Sequence, residues 1–333
     1  MSSVPKTSAE SYVNFVDSIL YFRRCLSNIE KGMPVKHLIE WNGGPGVGKT
    51  SLVHKLMQEL CDSSKMSWTY VNFLNAKTEG KDYCNDPTKL IQDLVDGFVF
   101  PQVIDGTNLQ AAINSYRSSA PIGNYIDQYF NLPRNKTEDW QDAMVQVCNE
   151  FVGIIETIAS QNGSNWPIII FIDETESLEY DLADWFEESL LSRLVLRDYC
   201  LVVWTGRRHW RWKRPEVRNQ LVREELVRLN HLEIEEYIQK NHSERAALLL
   251  PWVETVYRLS GGHGYSVALA VHVLDQWLNG QQQDKNLEYV YEAVEVELLS
   301  ALRQDFVLDY AFSDLEPNVS QPLEKLALLR TLD

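Results

Sequence analysis

Apolar side chains recur along this chain in two rhythms, and the switch between them divides it. In the first part, short apolar runs of strand length alternate with stretches whose apolar residues return every third or fourth position, as on a helix face. The runs are residues 37–41, 68–73, 167–172 and 200–205, and the more polar residues 223–227 are a candidate edge strand. Helical spacing covers 12–29 (Val16, Ile19, Phe22, Leu26, Ile29), 142–160 (Met144, Val147, Phe151, Ile154, Ile158) and 182–196. Pro167-Ile168-Ile169-Ile170-Phe171-Ile172 is apolar throughout, which predicts a strand buried on both faces at the centre of a parallel sheet. Residues 75–140 mix short amphipathic pieces with Asn-Asp-Pro, Asp-Gly and Leu-Pro breakers, predicting helices joined by loops. After about residue 231 only helical spacing remains, over 232–240, 245–259, 265–278, 287–302 and 323–332. Residues 1–230 are therefore predicted to form an α/β domain, three layers around a central, mostly parallel sheet, and residues 231–315 an all-helical lid domain.

Between the first strand and its helix lies Gly43-Gly44-Pro45-Gly46-Val47-Gly48-Lys49-Thr50, followed by Ser51. This is the G-x-x-x-x-G-K-[ST] pattern in the strand-then-helix setting it needs. Glycines let successive main-chain N–H groups turn inward around phosphates, and the following helix N-terminus adds partial positive charge. Lys49 is expected on the β- and γ-phosphates and the Thr50 hydroxyl on Mg²⁺. The pattern predicts binding of a nucleoside triphosphate.

The central apolar run ends in Asp173-Glu174, at the carboxyl end of a strand, where open α/β sheets place ligands. Asp173 is expected to hold Mg²⁺, mostly through water, and Glu174 to polarise the attacking water, with Glu176 a competitor for that role. The next strand ends Thr205-Gly206-Arg207-Arg208, beside the first. Arg207 there can sense the γ-phosphate, with Arg208 a second candidate.

Charge adds a constraint. The 333 residues carry a net charge of −16, which argues against nucleic acid as a partner. It is unevenly spread: residues 173–188 hold eight acids and no base, and residues 207–218 hold six bases and one acid. The remaining acids of the first segment are expected on a solvated helix face. The second interleaves bases with Trp210 and Trp212; in isolation that is a single-strand-binding pattern, in place a surface for the lid or a neighbouring subunit. The five cysteines are scattered without metal spacing, as for reduced thiols of a cytoplasmic protein, and no apolar run reaches membrane-spanning length.

With these motifs in place, the order of elements resembles the STAND class of signalling ATPases, relatives of AAA+ and NB-ARC domains, over about residues 13–278. Phe15-Val16-Asp17 resembles the class's N-terminal motif near the adenine, although Ser18-Ile19 follows where Arg-Glu is usual. Thr205-Gly206-Arg207 resembles its phosphate-sensing strand end. Ser260-Gly261-Gly262-His263-Gly264-Tyr265 resembles the lid's Gly-x-Pro motif, with Gly264 in the proline position and His263 as a further nucleotide contact. Residues 322–330 resemble the opening helix of a winged-helix domain, so residues 316–333 read as its incomplete start. The resemblance implies ATP or ADP with Mg²⁺, slow hydrolysis, and a nucleotide-controlled switch in a signalling, regulatory or defence assembly. Protein partners or self-association would then act through a missing C-terminal region. Rivals are an AAA+ initiator-like DNA-binding ATPase, a small-molecule kinase and a non-hydrolysing ATP-binding interaction module.

Overall fold

The computed structural model describes residues 15–44, 46–61, 66–81, 83, 87–99, 138–162, 166–178 and 180–280. They form two compact units, Phe15–Gly43 with Lys49–Leu226, and Gly44–Gly48 with the residues from Val227 onward.

The first unit is built on five strands, β1 (Leu38–Asn42), β2 (Ser67–Asn72), β3 (Ile168–Asp173), β4 (Cys200–Gly206) and β5 (Leu221–Glu225). Their order across the sheet is β2-β3-β4-β1-β5, and every pair is parallel. The predicted three-layer α/β fold is thus observed. β3 is buried at every position, as its unbroken apolar run requires. It lies one place in from the β2 edge, while β4, equally buried, takes the middle.

Alternation along the strands assigns the two faces. One face bears Ile39 and Trp41 of β1 and Ile169 and Phe171 of β3, and α1 (Val16–Glu30) covers it: Phe22 packs 6.4 Å from Trp41 and 6.0 Å from Phe171. The helix α2 (Lys49–Cys61) packs against β2, β3 and β4, and α3 (Phe73–Thr78) leaves the end of β2. The other face bears Leu38, Ile168, Ile170, Ile172, Val202 and Trp204. They share a core with α4 (Pro87–Asp96), α5 (Glu138–Asn162), α6 (Tyr180–Trp185), a π turn (Phe186–Leu191) and α7 (Ser192–Leu194). A short α8 (Pro215–Asn219), opened by its proline, leads into β5.

Three local expectations are corrected. Val16, assigned to the buried stripe of the first helix, is 52% exposed, because it opens α1 and its side chain faces away from the sheet. Phe73 begins α3 instead of ending β2, since Asn72 caps that helix by accepting from the Asn75 amide at 2.9 Å. The single helix predicted over 182–196 contains the π turn.

The second unit holds α9 (His231–Asn241), α10 (Ala246–Leu249), α11 (Val253–Ser260) and α12 (Gly264–Gly280) around Ile234, Ile238, Leu249, Val267, Val271 and Leu274. α9 opens with a capping box in which Asn230 and Glu233 exchange side-chain-to-amide bonds of 3.1 and 2.7 Å. The helix predicted over 245–259 is broken into α10, a 3-10 turn (Leu250–Trp252) and α11, because Pro251 lacks the N–H a continuous helix needs. Among the described residues no strand follows Glu225. The predicted helices at 287–302 and 323–332, and the segment 316–333, lie outside the described residues.

Candidate nucleotide site

The ends of β1, β3 and β4 bring together residues far apart in sequence. Lys49 opens α2, is 5% exposed, and donates through Nζ to the Gly43 carbonyl at 2.9 Å. Burial lowers its affinity for a proton, opposed by the nearby charges of Glu176, Glu174 and Asp173. One residue on, Thr50 Oγ1 donates to Glu174 Oε1 at 3.0 Å, joining positions 124 residues apart. Ser51 continues the same helix.

Asp173 ends β3 and is fully buried. The strand register sets Asn72 beside it on β2, and Thr205 follows Trp204, the partner of Ile172, on β4. Its carboxylate accepts from the Glu174 amide (3.0 Å), Tyr70 hydroxyl (3.2 Å), Asn72 amide (3.3 Å) and Thr205 hydroxyl. Glu174 itself sits at φ 56° and ψ 45°, a left-handed conformation that costs a non-glycine residue roughly 1–2 kcal/mol. That bend accompanies the Glu174 bond to Thr50. Burial, with the Glu176 carboxyl beside it, pushes the Glu174 carboxyl up to about 7. Arg207 Nε lies 2.7 Å from Glu176 Oε1, both side chains mostly buried. Lys49, Thr50, Asp173, Glu174, Glu176 and Arg207 thus form one cluster. Arg208 is exposed.

The donor set suits magnesium: a hydroxyl and carboxylates are the hard oxygen ligands it takes. Among the described residues no three His, Cys, Asp or Glu side chains are grouped to enclose a metal by themselves. Phosphate oxygens and water would complete the shell around Thr50 and Asp173.

Gly44–Gly48 group with the helical unit, as does His263. Gly46 has φ +66°, and a Cβ placed on it would stand 1.7 Å from His263 Cε1. Both facts demand glycine there. His263 is buried, its Nδ1 3.3 Å from Ser266 Oγ. Val47 is also buried, Gly48 has φ 106°, and Pro45 lies outside the described residues. Phe15 and Val16 are placed at the start of α1, which Ser18 Oγ ties to Glu224 of β5 at 2.7 Å. Their expected adenine contact is not part of the cluster described here.

Two expectations about charge are corrected. Glu187, assigned to a solvated face, is fully buried, and its Oε1 accepts from the main-chain N–H groups of Lys213 and Arg214, both at 2.6 Å. The basic-aromatic segment folds into its own unit: Trp212 is buried, packing 4.9 Å from Trp204, and Lys213 pairs with Asp184. Its anchor is Glu40, a fully buried acid in β1 registered between Trp204 and Arg223. Glu40 accepts from the Trp210 amide (2.6 Å), Trp212 Nε1 (2.9 Å) and Arg223 Nε (2.8 Å). Sequence reading missed Glu40, Tyr70, Asn72 and Thr205. The signal for Glu40 was one acid inside Leu38-Ile39-Glu40-Trp41; for the others it was polar residues at apolar strand ends.

The five-stranded parallel sheet flanked by helices is an α/β fold that solved structures share. The fold is shared with the ORC1 protein of Aeropyrum pernix, solved in complex with DNA: 12% identity, TM-score 0.50, 92% of this chain and 70% of that one covered. Other similar structures are C. elegans PCH-2 (13% identity, TM-score 0.48, covering 86% and 69%) and a Pyrococcus horikoshii STAND protein with a tetratricopeptide repeat sensor (18%, 0.39, 97% and 40%). The chain thus spans less than half of that STAND protein. No protein-family model matches the sequence, and no curated protein does. Among the described residues no helix is long and apolar enough to cross a membrane.

Proposed function

We propose that this chain binds ATP with Mg²⁺, hydrolyses it slowly, and serves as a nucleotide-controlled switch of the STAND type, part of a larger cytoplasmic assembly. The observation that carries the reading is the 3.0 Å bond between Thr50 and Glu174, which brings the phosphate-loop helix to the acidic end of β3. In this reading Lys49 neutralises the β- and γ-phosphates, and Thr50 and Asp173 hold the metal. Glu174 takes a proton from the attacking water. Magnesium, when bound, spreads the phosphate charge. Arg207 leaves Glu176 for the γ-phosphate when that group is present, and this exchange is the switch. His263 serves as a lid contact. The buried free thiols of Cys25, Cys148 and Cys200 agree with a reducing compartment.

Calorimetric titration with ATP, ADP and GTP in Mg²⁺ tests the reading. Micromolar binding of adenine nucleotides that disappears in Lys49→Ala supports it; unchanged binding in that variant refutes the site. Glu174→Gln is expected to bind ATP and not turn it over, and normal turnover would move the base to Glu176.

A second reading, DNA binding, draws on the exposed guanidinium-bearing residues Arg208, Arg211 and Arg218 and on the fold shared with an ORC1 solved with DNA. Its test is affinity for a labelled duplex that falls steeply with salt.

A further inference from the structure

Asp173 is surrounded by donors. Oδ1 accepts from the Glu174 amide and the Thr205 hydroxyl, and Oδ2 from the Tyr70 hydroxyl and the Asn72 amide. A carboxylate offers about four acceptor directions, so all of them are taken. A carboxylate that holds magnesium does so largely through the ion's waters, and each such water donates into one of those directions. One of the four donors must therefore withdraw when the metal arrives.

What else each donor does decides which one. The Glu174 amide belongs to the main chain of a residue bonded to Thr50. The Thr205 hydroxyl can turn as well, but Thr205 is fully buried where Tyr70 is half-buried, so it has no solvent side to turn to. Asn72 is fixed from its other side, since Oδ1 caps α3 on the Asn75 amide. Tyr70 differs: its hydroxyl turns freely about the C–O bond and accepts from Asn72 at 3.1 Å, while its ring rests edge-on against His54. Turning that one O–H off Asp173 disturbs neither ring nor main chain.

We propose that the Tyr70 hydroxyl is the group that yields, so that it occupies the metal's place on Asp173 Oδ2 and sets the Mg²⁺ concentration the nucleotide site requires. The inference rests on the reading above, in which Asp173 is the metal-holding carboxylate. Tyr70 acts through Asp173 and is a positioning residue.

The test is a Mg²⁺ titration of the full chain at a fixed concentration of a fluorescent ATP analogue, comparing unaltered protein with Tyr70→Phe. Affinity in EDTA is read separately. Half-saturating Mg²⁺ is expected to fall about tenfold in Tyr70→Phe, the weight of one hydrogen bond to a charged group, with the EDTA affinity unchanged. A purely structural role would lower the melting temperature without moving the Mg²⁺ midpoint. An equal or higher midpoint in the variant overturns the inference while leaving the nucleotide site intact. If the unaltered chain binds no analogue at any Mg²⁺ concentration, the functional reading itself falls. Should the phenylalanine variant not fold, Tyr70→Leu also lacks the hydroxyl and is judged by the same midpoint.

Discussion

Replacing Glu40 by leucine is expected to destabilise the sheet unit by about 2–4 kcal/mol, the net of two opposed terms. The carboxylate is fully buried, and its removal strands the Trp212 indole N–H and the Trp210 amide. Each stranded buried donor costs about 1–3 kcal/mol. Arg223 adds little, because its side chain is 42% exposed and water takes over the guanidinium. Against this, leucine fills similar volume and removes the cost of desolvating a charge, which in some buried ion pairs outweighs the pairing. Two neutral donors depend on this acid, so the loss wins. Glu40→Gln keeps one acceptor oxygen and should fall between the two, at about 1–2 kcal/mol. At about 2–4 °C per kcal/mol for a unit of this size, the leucine variant should melt roughly 5–15 °C lower. The assay is urea denaturation followed by circular dichroism, with an unchanged m-value showing that stability alone moved. A coupling of more than about 1 kcal/mol between Glu40→Leu and Trp212→Phe would locate the effect in that bond. A leucine variant as stable as the original would refute the reasoning, and the segment after β4 would then be held by tryptophan packing.

Three further outcomes are expected. Glu174 is pushed up to about 7 from 4.5, so between these values the folded chain binds a proton that the unfolded chain has lost. Its stabilising share is full below the lower value and disappears as pH rises through the higher. Melts of the metal-free protein should therefore fall relative to Glu174→Gln from about pH 5 to 7.5, and parallel curves would contradict this. A Cβ on Gly206 would stand 2.3 Å from Thr175 Oγ1, so Gly206→Ala should cost about 1–3 kcal/mol. Adding Thr175→Ala should cost less than the sum of the single changes; strict additivity in urea melts would dismiss the clash. Asn230→Ala removes half of the α9 capping box and should cost about 1 kcal/mol, read as faster amide exchange in the first turn of that helix, with unchanged exchange the contrary result.

The inner strands were legible because they are short, largely apolar runs, and a run such as Ile168–Asp173 has few ways to fold; the charged edge strand β5, Leu221–Glu225, lies two residues earlier than its expected place. The strand, glycine-rich turn and helix of residues 38–61 were legible because glycines, lysine, hydroxyl and flanking elements are local to one another. What escaped is what depends on register. Nothing near Glu40 in sequence says that Trp204 and Arg223 will be its strand neighbours, or that Trp212 will turn back to reach it. The two charged segments read as solvated surface and docking patch because each was weighed alone; in three dimensions Glu187 receives the main chain of Lys213 and Arg214. Local spacing likewise gave no warning of the π turn, nor of Val16 facing out at the first turn of α1. Tyr70 and Asn72 were counted as strand residues, and only the pairing of β2 with β3 sets Asn72 beside Asp173.

Trp204, Trp210 and Trp212 lie with ring centroids 4.9–6.2 Å apart. Indoles this close exchange excitation energy, and their far-ultraviolet transitions couple into a paired positive and negative dichroic band that helices and strands do not produce. Arg207 stands three residues from Trp204 on one side and from Trp210 on the other. Any event that draws Arg207 away from Glu176 therefore happens between two members of a coupled set of chromophores. The protein thus carries its own dye beside the Arg207–Glu176 pair, and a change in that pair could be followed in time without attaching a label.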